Sequence, residues 1–253
     1  MLLALPGPAF VLDTVRLDNG TVLDAFALTA NPNATRLPRV LLNRAQEATD
    51  LAGEHHTVRT ASSIWDASLQ LARCLERQHD RLDDPDLAVA DKHVLELGAG
   101  SGLVGLACAA FGARSVTLTD TASVVASILE PNRQLNPALM PYVSCTALDW
   151  LHQERDRQLV PNAIDVIVAA DVVWVADLVL PLVRTIRALA SASTIVLLAH
   201  QTRSAQVDEV LFAALAEAGF VATPVASITM HPSYMKPGIR IVKFRLGGSV
   251  ATL

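Results

Sequence analysis

Cysteine is scarce in this chain: Cys74, Cys108 and Cys145 are the three in 253 residues. They are widely spaced, odd in number and form no C-x-x-C pair. That excludes a zinc ribbon and a disulfide framework, and fits small apolar residues in a reducing compartment. Long basic runs are also missing, and the net charge is −5. Non-specific nucleic-acid binding is therefore not expected as the main activity. No apolar stretch reaches the length of about 18 residues that a membrane-spanning helix needs. The start, MLLALPGPAFVL, lacks a basic segment and is interrupted by Pro6 and Pro8, so no signal peptide is expected. Internal repeats and low-complexity segments are absent. These absences describe a soluble chain without membrane partners, expected in the cytoplasm with room for a nuclear presence, and a monomer by default.

What is present is apolar. Hydrophobic residues make up 51% and charged residues 18%, which allows a large core and argues against global disorder. The length suits one α/β domain with an N-terminal extension, or two small domains. Residues 9–28, AFVLDTVRLDNGTVLDAFAL, alternate apolar and polar about Asn19-Gly20, which predicts a β-hairpin. Residues 29–42, with Pro32 and Pro38, read as a loop, and a short helix is expected at 43–52. Ile64, Ala67, Leu71, Cys74 and Leu75 then recur at helical spacing. From residue 93 the pattern alternates. Strands are expected at 93–97, 115–119, 142–147, 164–170 and 194–200, and helices at 103–111, 122–135, 176–190 and 204–218. Such alternation implies a parallel sheet with helices on both faces. Two further strands, near 221–229 and 239–246, have no helix between them and should pair as a hairpin.

The clearest chemical signal is HVLELGAGSGLVGLA at 93–107. A buried strand runs into Gly98, Gly100 and Gly102 and then into an apolar helix. Glycines there allow a sharp turn and close approach of a ligand to the backbone. Two cofactors compete for it. Gly100, Gly102 and Gly105 fit the dinucleotide pattern G-x-G-x-x-G, with Asp120 lying 20 residues after Gly100. Glu96, Gly98, Gly100 and Gly102 instead make E-x-G-x-G-x-G. A carboxylate at that place repels a pyrophosphate but suits the ammonium of an amino-acid moiety. S-adenosylmethionine carries such an ammonium, together with a sulfonium and no phosphate. Glu96 therefore favours S-adenosylmethionine over a dinucleotide, and Asp120, ending its strand, can accept both ribose hydroxyls.

Four stretches in order, TASSIWDASLQLARCL, VLELGAGSGLVGL with VTLTD, ALDW, and DVIVAADVVW, carry a resemblance that spans residues 60–200. This region resembles the seven-β-strand protein methyltransferases of methyltransferase family 16. That family includes the lysine methyltransferases acting on valosin-containing protein, Hsp70-type chaperones, elongation factors and calmodulin. The resemblance implies an α/β fold: a Rossmann-like seven-strand methyltransferase sheet with helices on both faces and an N-terminal β-hairpin extension. It divides the chain into that extension, 1–58, and an S-adenosylmethionine-dependent domain, 59–253. It implies that Trp65 covers the methionine end of the cofactor, and that Glu96 with Gly98, Ala99 and Gly100 holds the methionine and ribose region. Asp120 would bind the ribose hydroxyls. Trp150 would pack on the adenine, with Asp149 near its amino group, and Ala170 would give a backbone contact. Asp171 and Trp174 would form the D-x-x-aromatic motif beside the incoming substrate nitrogen.

The sequence departs from that pattern in three places. Trp174 stands where the family usually has Tyr, sometimes Phe, keeping a flat wall and an N–H donor but losing a hydroxyl acceptor. Pro131 falls inside the helix expected at 122–135 and should kink it or start a new one. The N-terminal hairpin is longer than in the smallest members. His200-Gln201 ends a strand at the same edge of the sheet and reads as a satisfied histidine, with substrate contact as the alternative. His55-His56 has no partner at ligand spacing, so no metal site is expected. Glu47 and Asp50 read as solvent-facing. The expected activity is methyl transfer to a lysine of a protein substrate. The alternatives are arginine, histidine or a small molecule as acceptor, or a non-catalytic S-adenosylmethionine-binding interaction protein.

Overall fold

A computed structural model describes residues 12–16, 22–26, 40–43, 60–81, 83–173 and 176–247. Strands β1 (Leu12–Arg16), β2 (Val22–Phe26) and β3 (Val40–Asn43) form a small antiparallel sheet in that order. Then follow α1 (Asp66–Arg81), β4 (His93–Leu97), α2 (Leu103–Ala110), β5 (Ser115–Asp120), a helix α3 over 122–134, β6 (Val143–Ala147) and β7 (Val166–Ala170). The chain continues through α4 (Val179–Leu189), β8 (Ile195–Gln201), α5 (Ala205–Glu217), β9 (Phe220–Pro224) and β10 (Ile239–Leu246).

The large sheet has seven strands in the order β6-β5-β4-β7-β8-β10-β9. The strands from β6 to β8 run parallel, and β10 is antiparallel to both of its neighbours. The expected terminal hairpin is present, and β10 inserts between β8 and β9. The chain builds outward from β4 to β6, returns, and builds the other way from β7. The switch point therefore lies between β4 and β7, and ligands of open α/β sheets bind at the carboxyl edge there.

Period-two side-chain alternation explains why these strands are apolar throughout. Val94, Val116, Val166, Val168 and Leu197 join one buried cluster, with α1 and α2. Their sequence neighbours Leu95, Leu97, Ile167, Val196 and Leu198 join the other, with α4 and α5. The predicted stripe Ala67, Leu71, Cys74 and Leu75 is buried in α1. Each fully buried leucine contributes about 1.5–3 kcal/mol.

Pro131 acts where expected. The 122–134 helix contains a π-helical turn, Val125–Leu129, before the segment Glu130–Gln134, with Pro131 in that segment's first turn, where a missing N–H is tolerated. In the N-terminal region the hairpin strands pair from Leu12↔Phe26 to Arg16↔Val22; the Asn19-Gly20 turn lies outside the described residues. The loop expected at 29–42 is corrected at its end: Val40–Asn43 is a strand paired with β2. Most of the helix expected at 43–52 falls outside the described residues, and its first residue belongs to β3. Val40 and Leu42 sit in the same buried cluster as α2. Asn136 ties the two sheets together, accepting from Leu41 N–H and donating to Leu41 O, each at 2.8 Å. It also donates to Asn132 O at 2.7 Å, and Asn132 donates to Ser101 O in the glycine turn at 2.8 Å.

Candidate active site

The turn after β4 is left-handed at Gly98, Gly100 and Gly102, with φ of 61°, 53° and 80°. Space forbids side chains at two of these. A Cβ on Gly98 would lie 2.8 Å from Val172 Cγ1 and 3.2 Å from Trp150 Cζ2, and one on Gly100 would lie 2.8 Å from Ala61 O. The bare backbone lets the turn approach Trp150 on one side and the 60–65 segment on the other.

Those elements enclose a cavity of about 760 Å³ at the switch point, within the usual range for small-molecule sites. Of the residues singled out from sequence, Trp65, Gly98, Ala99, Gly100, Asp120, Asp149, Trp150 and Asp171 line it. Glu96 and Ala170 are not among the residues that line it, and Trp174 lies outside the described residues. Trp65 is 39% exposed and precedes α1, with Nε1 donating to Thr60 O at 3.1 Å. Asp120 Oδ2 accepts from Gly100 N–H at 2.9 Å and Oδ1 from Thr121 N–H at 2.8 Å. Each oxygen retains a further lone pair for a ligand hydroxyl. Burial raises the Asp120 pKa, against the pull of these N–H groups. Asp149 caps the next turn, accepting from Leu151 N–H at 2.9 Å and pairing with His152 Nδ1 at 2.8 Å.

Glu96 is buried beneath the turn, and its Oε2 accepts from Gly105 N–H at 2.7 Å. Burial lifts its pKa to about 8, with a smaller push from Asp120 and an opposing pull from the Gly105 N–H. This carboxyl fastens the start of α2 to β4. His200 is a core residue of β8, with Nε2 2.6 Å from Asp208 Oδ1 and Nδ1 buried without a hydrogen-bond partner among the described residues, so the satisfied loop histidine is corrected to a strand residue satisfied at one nitrogen.

Asp171 has φ of 58°, a left-handed conformation that aspartate adopts more readily than most residues. Its N–H donates to Ala199 O at 2.9 Å, and its side chain is 1% exposed. It caps no helix among the described residues. Instead its carboxylate is gripped by Arg203: Nη1 meets Oδ1 and Nη2 meets Oδ2, the latter at 2.5 Å. The Arg203 guanidinium also lies over the Trp65 ring, 5.7 Å from its centroid. Sequence reasoning missed Arg203. The signal available was its place just past the end of a strand whose carboxyl edge faces the site.

The described lining residues carry three carboxylates, Asp120, Asp149 and Asp171, and one cation, Arg203. That acidic wall opposes a pyrophosphate and accommodates a ligand of net positive charge. No group of three or more His, Cys, Asp or Glu side chains suited to a metal occurs among the described residues.

The fold is that of a Rossmann-like methyltransferase. A solved structure of a candidate O-methyltransferase from Nostoc punctiforme superposes with a TM-score of 0.52 at 16% identity, covering 78% of this chain and 63% of that one. At that identity the likeness shows the fold alone. A family model described as lysine methyltransferase matches residues 45–218, more than half of the chain, and the chain belongs to that family. Protein N-lysine methyltransferase METTL21A of Mus musculus is 32% identical over 145 residues, covering 56% of this chain and 62% of that protein. EEF1A lysine methyltransferase 3 of Xenopus tropicalis is 32% identical over 143 residues, covering 56% and 58%. The chain thus spans about three-fifths of the length of these relatives. The cofactor of such enzymes is S-adenosylmethionine. The cavity fits it: its sulfonium and ammonium outweigh its carboxylate, matching an acidic wall, and Trp150 lines the cavity.

Proposed function

We propose that this protein is an S-adenosylmethionine-dependent methyltransferase that modifies a lysine side chain of a protein substrate. The observation that carries this is the acidic, glycine-cradled cavity at the switch point, with Asp171 in its lining, in a chain of the lysine methyltransferase family. Relatives named for lysine methylation of proteins, one of them EEF1A, support a protein acceptor.

The bound cofactor supplies an electrophilic methyl group on sulfur. The chain's part is placement, and proximity with orientation can supply roughly 7–11 kcal/mol of barrier reduction. Asp120 takes the ribose hydroxyls through its remaining lone pairs. Trp150 stacks on the adenine, and Asp149 closes that end. The Gly98–Ala99–Gly100 backbone takes the methionine and ribose region, braced from beneath by Glu96. Trp65 would cover the methionine end, Ala170 would back the cofactor, and Asp171, through the D-x-x-aromatic motif it forms with Trp174, would serve the incoming nitrogen.

Labelled S-adenosylmethionine, incubated with cell lysate and this protein, should mark a protein band whose mass spectrum shows methyllysine. Calorimetric titration with S-adenosylhomocysteine is the preliminary step. Absence of binding to that compound and to S-adenosylmethionine would overturn the assignment. Label on arginine, histidine or a small molecule would overturn the acceptor.

A further inference from the structure

Arg203 lines the cavity between Asp171 and Trp65. It leaves the end of β8, grips both oxygens of Asp171, and lays its guanidinium over Trp65. A third contact, Nη2 to Gln201 Oε1 at 3.2 Å, steadies it from its own strand. Among the described lining residues it is the sole cation. The carboxylate expected to meet the substrate nitrogen is therefore already engaged by a permanent positive charge.

That engagement bears on the chemistry. Methyl transfer breaks the sulfur–methyl bond as the nitrogen lone pair forms the nitrogen–methyl bond, and the positive charge passes from sulfur to nitrogen. An ammonium has no lone pair and cannot attack, so its extra proton must leave to solvent first. A bare carboxylate at the entrance would work against this. An opposite charge within a few ångströms stabilises a cation by about 1–3 pKa units, and would hold the lysine in its unreactive form. Paired with Arg203, the same carboxylate offers an oriented dipole with little net charge.

We propose that Arg203 is a positioning residue for the transfer: by holding Asp171 it neutralises the entrance, so that the site admits the amine uncharged and turns away the ammonium. This rests on the assignment of S-adenosylmethionine to the cavity. It also assigns Arg203 a part in specificity, since a permanently cationic acceptor such as an arginine side chain finds no free carboxylate to pair with.

The test needs no substrate. Sinefungin resembles S-adenosylhomocysteine but bears an ammonium on carbon at the place of the methylated sulfur, directed where the substrate nitrogen arrives. Calorimetry would give the affinities of both compounds for the wild-type protein, Arg203→Gln and Arg203→Lys. The expected result is a shift of the affinity ratio towards sinefungin by about tenfold or more in Arg203→Gln, where Asp171 is freed to pair with an ammonium. Arg203→Lys, which restores a cation, should return most of that shift. Both compounds share adenosine and amino-acid moieties, so a packing defect would weaken them together and leave the ratio unmoved. An unmoved ratio in Arg203→Gln, with or without general weakening, overturns the proposal while leaving the methyltransferase assignment intact. Wild-type protein that binds neither compound overturns both.

Discussion

Replacing Glu96 with glutamine should stabilise the ligand-free protein at pH 8 and change it little at pH 5. Burial raises the Glu96 carboxyl from 4.5 to about 8 in the fold. Between those values the folded chain holds a proton that the unfolded chain has lost, so stability falls as pH rises, beginning near the unfolded pKa and ending near the folded one. Most of the difference falls between pH 5 and pH 8, which at about 1.4 kcal/mol per unit is a loss of roughly 3–4 kcal/mol from this one group. Glutamine does not titrate, and its side-chain oxygen can still accept from the Gly105 N–H that Glu96 now holds at 2.7 Å. Urea unfolding of both proteins at pH 5, 6, 7 and 8, followed by tryptophan fluorescence, would measure the difference directly, with other titrating groups cancelling. The stability gap should open steadily with pH. A gap that is constant across the series would mean that Glu96 stays ionised in the fold, and would refute the reasoning.

Other substitutions probe the cradle and the core. Gly100→Ala places a methyl 2.8 Å from Ala61 O at a left-handed position. It should weaken S-adenosylhomocysteine binding by about tenfold or more, combining a conformational cost of roughly 1–2 kcal/mol with displacement of the 60–61 segment; unchanged affinity by calorimetry would contradict this. Gly105→Ala drives a methyl into Leu118 and to 2.7 Å from Glu96 Oε2. A destabilisation of about 1–3 kcal/mol is expected from overpacking, read from the shift in the urea midpoint. Trp150→Ala removes a wall of the cavity and should lower the affinity for S-adenosylhomocysteine more than that for the isolated methionine portion, as competition calorimetry would show. Burial pushes the Cys74 thiol up to about 12 and raises Cys108 above its ordinary value as well. Both should resist iodoacetamide at pH 8 in the native protein and react fully in urea, as peptide mass mapping would show.

Legibility in the sequence followed the range of the interactions involved. The strands of the large sheet were readable because runs such as Val166-Ile167-Val168 must be apolar on both faces. The cofactor turn was readable because its glycines and Asp120 serve one local strand–turn–helix unit. Trp65, Trp150 and Asp171 came from resemblance, and the structure brings them to one cavity. Arg203 was invisible for a physical reason: its meaning lies in Asp171, 32 residues away, and a basic residue after a strand has no periodicity to betray it. Strand β3 was hidden because Val40, Leu41 and Leu42 make too short a run beside Pro38, and pairing with β2 supplies what local preference does not. Asn132 carried no signal inside the helix expected at 122–135, and Asn136 none just past its end. Their buried amides gain significance from backbone groups of Ser101 and Leu41 that the chain brings to them from elsewhere.

That pair of asparagines has a practical consequence. A chain cut after residue 58, as though the leading segment were an appendage, would uncover the core where Val40 and Leu42 are packed. It would also leave Asn136 holding two hydrogen-bonding groups with nothing to replace Leu41 but water. The slack would pass through Asn132 to Ser101, which lies between Gly100 and Gly102. Truncation would thus loosen the glycine turn through two side chains. By the same route, a binding partner that pulled on the small N-terminal sheet would have a mechanical handle on the cofactor turn.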